Sequence, residues 1–135
     1  MPSTFKELRV WQQAMKLATQ SYRATGNFPR HEVYGLSQQM RRAAVSIPSN
    51  IAEGKGRRTD RDFRQFLFTA RGSLLELETQ VMIAQGLDYL TEKQAQVLLE
   101  GAELVGRSLS GLINAIQGVD RGMPTTNDRR PTTDV

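Results

Sequence analysis

Apolar side chains return along this chain at alternating spacings of three and four residues, the period of one face of an α-helix. In a first segment Leu8, Trp11, Met15, Ala18, Tyr22 and Thr25 hold one stripe, which Gly26, Asn27 and the turn-forming Phe28-Pro29 bring to a close. A second segment opens near Arg30 and carries Val33, Leu36, Met40, Ala43 and Ile47. The third is the most regular: Phe63, Leu67, Ala70, Leu74, Leu77, Val81 and Ala84, with Thr59 as N-cap, Asp60 and Asp62 in the first turn, and Gly86 at the end. Thr91 to Gln94 then fits a capping box, with Leu90 placed to staple onto Ala95. The fourth stripe is Ala95, Leu98, Ala102, Val105, Leu109, Leu112 and Ile116, closed by Gly118 as C-cap. Gly101, Gly106 and Gly111 interrupt that helix at about 1 kcal/mol each in propensity, which suggests close helix approach or a weaker last helix.

These patterns predict helices near residues 5–25, 30–54, 59–86 and 91–117. A helix of about 25 residues is about 38 Å long, and short loops make neighbours antiparallel. An all-α, antiparallel up-down-up-down four-helix bundle follows. Beyond Gly118 almost nothing is apolar, so residues 1–118 read as the bundle domain and 119–135 as a disordered tail.

Pro48 falls inside the second helical pattern. It lacks an N–H and its ring crowds the Ala44 carbonyl, so a bend is expected there. Ser46, Ser49 and Asn50 are at hand to bond freed backbone groups. The helix should bend, run on to about Glu53, and end at Gly54 and Gly56.

Composition narrows the chemistry. A chain of 135 residues supports one domain with a substantial core. It has no cysteine and a single histidine, His31, which argues against disulfides and against a thiolate or imidazole metal site. No apolar run approaches the roughly 18 residues needed to span a bilayer. Met1 to Arg9 carries Lys6, Glu7 and Arg9 without an apolar stretch, so no signal peptide is expected and the protein reads as cytoplasmic.

The net charge is +4, and fourteen of the eighteen cations are arginine, the side chain best shaped for bidentate phosphate contact. From Arg41 to Arg71 the chain holds Arg41, Arg42, Lys55, Arg57, Arg58, Arg61, Arg64 and Arg71 against Glu53, Asp60 and Asp62. That window is +5, which leaves −1 for the rest of the chain. Arg41, Arg42, Lys55, Arg57, Arg58, Arg61 and Arg64 are the candidate nucleic-acid-binding residues, expected to gather at one end of the bundle. A solvated surface without a ligand is the other reading of such a run. Gln39, Arg42, Ser46, Asn50, Glu53 and Arg57 form a polar row on the same helix, read either as donors for phosphate and ribose or as local repair of the Pro48 break.

Phe68, Leu75 and Met82 recur every seven residues about 100° away from one core row of the third helix, too far round to share the interior. They are the candidate oligomer interface, with Val10, Leu17 and Ala24 as a fainter counterpart on the first helix; a broad core face in a rotated helix is the alternative. No phosphate-binding glycine loop, metalloprotease helix or nucleophile elbow occurs. Glu76 and Glu78 point about 200° apart on a helix, and no Glu-x-x-His exists to build a di-iron site. The reading is therefore of a non-enzyme with no cofactor, no metal and no identified small-molecule substrate.

The motif S-I-P-S-N-I-A-E-G (Ser46 to Gly54), preceded by R-R-A-A-V and followed by basic residues, resembles the bacterial four-helix-bundle family encoded in 23S ribosomal RNA intervening sequences. Val10, Trp11, Gln12 and Ala14, the F-P-x-x-E-x-Y-G-L run from Phe28 to Leu36, and G-S-L-x-E-L-E-x-Q from Gly72 to Gln80 carry the resemblance over roughly residues 5–90. The chain is also similar to the accessory bundle proteins of diversity-generating retroelements, cationic pentamers thought to act with RNA and a reverse transcriptase. The resemblance implies the same four-helix fold and a ring-like homo-oligomer, a pentamer in particular. It implies no settled activity. Two functions follow as expectations: an oligomeric bundle binding RNA or DNA through its arginine-rich surface, or a protein-interaction scaffold with no nucleic-acid role.

Overall fold

The computed structural model describes residues 4–119, and among them it contains four α-helices and no strand. The helices are α1 (Arg9–Thr25), α2 (Leu36–Lys55), α3 (Asp60–Gly86) and α4 (Glu92–Val119), with short 3₁₀ turns at Phe5–Glu7 and Arg30–Glu32. They run up, down, up and down in the cyclic order α1–α2–α3–α4, each packed on its two neighbours. The α4 helix passes through Gly118, so that glycine is no cap; the expected tail lies, beyond Val119, outside the described residues. No helix among the described residues is long and apolar enough to cross a membrane.

The stripes of α3 and α4 face the core as predicted: all seven α3 positions and all of the α4 series except half-buried Leu112 are buried, joined by Ile113. Both N-caps also hold. The Asp62 N–H donates to Thr59 Oγ1 at 3.1 Å, and Thr91 and Gln94 exchange backbone-to-side-chain bonds of 2.9 and 3.1 Å.

On α1 the phase is different. The buried row is Val10, Ala14, Leu17, Ala18, Ser21 and Thr25, so Val10 and Leu17 belong to the core and not to an outer stripe. Met15 and Tyr22 are 41 % and 45 % exposed, and Trp11 is only half-buried against Phe5. Helices close together where small residues meet, and Ser21 can be fully buried because its hydroxyl donates to the Leu17 carbonyl at 2.9 Å. The larger side chains are displaced to the edge, where Trp11, Met15 and Tyr22 line an open groove with Val45, Pro48 and Ala52 of α2, about 510 Å³ in volume.

The α2 helix begins at Leu36, six residues later than predicted, and leaves Val33 exposed in the preceding loop. Its start is set by Glu32. One carboxylate oxygen accepts the Leu36 N–H at 2.8 Å and the other accepts the Tyr89 hydroxyl at 2.8 Å, tying the α1–α2 loop to the α3–α4 loop. Past Pro48 the helix continues without interruption to Lys55, and Pro48 itself is buried. Asn50 Nδ2 donates to the Ser46 carbonyl and to Ser46 Oγ at 2.8 and 2.9 Å, bonds beside the proline that do not reach the Ala44 carbonyl it frees.

The bond from Leu36, then that from Tyr89, holds the Glu32 carboxyl below its ordinary pKa of 4.5. A carboxylate with a depressed native pKa contributes stability that is full above its unfolded pKa and is lost as pH falls through the native value. Thermal midpoints taken from about pH 7 down to about pH 3 should fall further for the wild type than for Glu32→Gln. Parallel curves for the two proteins would remove Glu32 from the acid response.

Candidate nucleic-acid interface

Lys55 ends α2, Gly56 to Thr59 make the turn, and Asp60 starts α3 one residue after its Thr59 cap. The turn is tight because Gly54 lets the two helices nearly touch: a Cβ there would stand 2.6 Å from Phe66 Cβ and 3.3 Å from the Phe63 carbonyl oxygen. Buried Phe63 and half-buried Phe66 thus sit directly beneath the basic turn. The Lys55 ammonium lies 6.0 Å from the centre of the Phe63 ring, and the Arg57 guanidinium lies 4.7 Å from that of Phe66. Arg57 also pairs with Glu53 at 3.1 Å, an exposed i,i+4 contact of the kind that contributes little to stability. The side chains of Arg58 and Arg61 are exposed and make no hydrogen bond or ion pair among the described residues. Arg64 is half-buried on the second turn of α3.

Arg41 and Arg42 do not join this group. Fourteen residues of helix separate Arg41 from Lys55, about 21 Å along the axis. Arg41 is engaged elsewhere: its Nε donates to Thr25 Oγ1 at 2.8 Å, its Nη2 to the Tyr22 carbonyl at 3.3 Å, and its guanidinium covers the Tyr22 ring. It bonds one carbonyl and one hydroxyl at the C-terminal end of α1, where a cation also meets the negative end of the helix dipole. Arg42 is exposed in a shallow polar groove with Gln39, Ser46, Ser73 and Glu76. The groove floor is closed by a 2.8 Å hydrogen bond between the Ser46 and Ser73 hydroxyls, which links α2 to α3.

The geometry favours phosphate over base recognition. Bases need free aromatic faces on which to stack. Here Phe63 is buried, while Phe66 and Phe68 are each covered by a guanidinium, Arg71 lying 5.2 Å from the Phe68 ring centre. Among the described residues no group of three His, Asp or Glu side chains is placed to hold a metal ion.

Of the expected interface residues, Leu75 and Met82 are 58 % and 59 % exposed, while Phe68 is half-buried against the core. Sequence reasoning missed the α1–α2 groove, having placed its Trp11, Met15 and Tyr22 inside, and the Glu32–Tyr89 link, which joins loops 57 residues apart.

The family described as 23S rRNA-intervening sequence protein matches residues 6–111. No curated protein matches the chain. A solved structure from Bacteroides thetaiotaomicron VPI-5482, described as a protein with unknown function from the S23 ribosomal protein family, is 20 % identical. The match covers 78 % of this chain and 95 % of that one with a TM-score of 0.73, a likeness of fold.

Proposed function

This chain belongs to the 23S rRNA-intervening sequence protein family, and from that premise we propose that it is a non-enzymatic bundle that binds the phosphates of RNA or DNA in the cytoplasm. The observation that carries the reading is the α2–α3 turn. Lys55, Arg57, Arg58, Arg61 and Arg64 fall within ten residues at one end of the bundle against Asp60 and Asp62, with Arg58 and Arg61 exposed and unpaired among the described residues. The site is therefore smaller than the sequence suggested, because Arg41 is committed to α1.

A homo-oligomer, with the five-fold ring that the family resemblance implies, strengthens this reading. Symmetry repeats the basic turn around an axis, and weak phosphate contacts multiply through effective concentration. Binding of short RNA and DNA strands to the wild type, followed from about 50 to about 200 mM salt, tests the proposal. Five neutralised phosphates on a single strand give a slope near −3.5, a fall of roughly a hundredfold over that range, with little sequence preference. Absence of binding at low salt would overturn it and leave the scaffold function in its place.

A further inference from the structure

Along the α1–α4 seam an apolar row of α4 meets polar side chains. Val97 and Leu104 are exposed on either side of Gly101, and α1 faces them with Gln13, Lys16 and Gln20. A hollow of about 280 Å³ remains there, and Gln13 Oε1 is buried without a hydrogen-bond partner, an unmet acceptor at a seam the chain leaves incompletely filled. Gly101 keeps the space open, since a Cβ at that position would stand 3.4 Å from Leu17 Cδ1 and 3.5 Å from Gln20 Oε1. Toward the α3–α4 loop the seam widens into a second hollow of about 460 Å³, which shares Gln20 and Val97 with the first.

The wider hollow is apolar within and cationic at its edges. Ala24, Val97 and Leu98 line it, together with Arg23 of α1 and Lys93 of α4. No carboxylate lines it, and neither cation makes a side-chain hydrogen bond or ion pair among the described residues. Glu92 lines a different hollow, on the α3 side of α4, and Glu100 stands about two turns along the helix from Lys93. Asn27 and Gln94 add amide donors. The Gln94 side chain is held by its Oε1, which accepts the Thr91 N–H at 2.9 Å and leaves Nε2 free to donate.

We propose that this hollow binds a small amphiphilic anion, a carboxylate- or phosphate-headed molecule with an apolar body. The head meets Arg23 and Lys93, and the body lies on Ala24, Val97 and Leu98 toward Gly101. Two cations that share a hollow without a carboxylate attract an anion and repel a cation, and N–H bonds to a charged oxygen are the strong kind. The apolar lining adds the burial of the body, which a bare inorganic anion would leave uncovered. A volume of about 460 Å³ falls within the roughly 300–1,000 Å³ of small-molecule clefts, which are mostly apolar with a few placed polar groups. The site lies where α1 ends and α4 begins, at the end of the bundle away from the α2–α3 turn, so it stands independently of the nucleic-acid reading.

Decanoate and decyl phosphate are the probes, titrated by calorimetry and by amide NMR. Each should bind at one site with a dissociation constant below about 1 mM and move the amide signals of residues 20–27 and 91–98. The tighter of the two identifies the head group. Decylammonium, with the same body and the opposite charge, should leave those signals in place, and inorganic phosphate alone should bind roughly tenfold more weakly or worse. Arg23→Gln and Lys93→Gln combined should weaken both probes roughly tenfold or more. Val97→Glu, which sets a carboxylate in the lining, should do the same, while Arg58→Gln at the basic turn should change nothing. All four positions are exposed, and unchanged circular dichroism establishes that the variants fold. Equal affinity of the double variant, or decylammonium binding as tightly as decanoate, would show that apolar surface alone holds the probes and would overturn the site. So would amide shifts centred on Trp11, Met15 and Tyr22, or the absence of saturable binding by either anion.

Discussion

Replacing Gly54 with alanine should destabilise the bundle by about 1 kcal/mol net, although alanine is the better helix former by about 1 kcal/mol. The new methyl would stand 2.6 Å from Phe66 Cβ, 3.0 Å from Phe63 Cδ1 and 3.3 Å from the Phe63 carbonyl oxygen. The first and last of these belong to or adjoin the α3 backbone, so relief requires the helices to move apart and not merely a rotamer to change. Overpacking of that kind costs about 1–3 kcal/mol, enough to outweigh the propensity gain. Gly72→Ala is the matched control. Nothing lies within 4 Å of its Cβ position, so there the propensity term acts alone and stability should rise. Urea unfolding of the two variants then gives opposite signs. A Gly54→Ala protein more stable than the wild type would show that α2 and α3 do not approach this closely. The expected loss also bears on function, because Gly54 sets where Lys55, Arg57 and Arg58 emerge.

Helix existence, order and direction were legible because each stripe repeats over several turns. On α3 and α4 the most hydrophobic row is also the buried row, so position and phase were both readable. On α1 the two properties separate. Periodicity selected Trp11, Met15 and Tyr22, the largest apolar side chains, while close packing selected Ala14, Leu17 and Ser21. A serine that satisfies its hydroxyl on its own helix is invisible to a hydrophobicity pattern. The start of α2 was misplaced for a related reason. Its cap is the Glu32 side chain four residues upstream, braced by Tyr89 from a distant loop, and neither contact is a local signal.

The candidate site was legible as a concentration of charge but not as a geometry. Counting arginines between residues 41 and 71 treats the chain as a line, whereas α2 carries Arg41 about 21 Å from the turn and places it beside the end of α1. The cations that remain together, Lys55 to Arg64, do so because they straddle a turn and not a helix. The covering of Phe66 by Arg57 could not have been read from spacing either, since it depends on the Gly54 approach that brings α3 under the turn.

Changing Arg57, Arg58 and Arg61 together to glutamine should flatten the salt dependence of nucleic-acid binding by about three phosphate contacts. Each contact to a single strand contributes about 0.7 to the slope of log affinity against log salt, and each contact to duplex about 0.9. Between about 50 and about 200 mM salt the wild type should therefore lose roughly 20- to 40-fold more affinity than the variant. The loss should be the same for unrelated sequences, since backbone contacts position a ligand without reading it. Arg41→Gln is the contrasting substitution. It removes the 2.8 Å bond to Thr25 Oγ1 and the cover over Tyr22, so it should lower the thermal midpoint while leaving the salt slope unchanged. Arg57 tests the site from within, because its exposed pairing with Glu53 is weak enough to yield to a phosphate. If the triple variant keeps the wild-type slope while Arg41→Gln or Arg42→Gln flattens it, the binding surface lies along α2 and not at the turn.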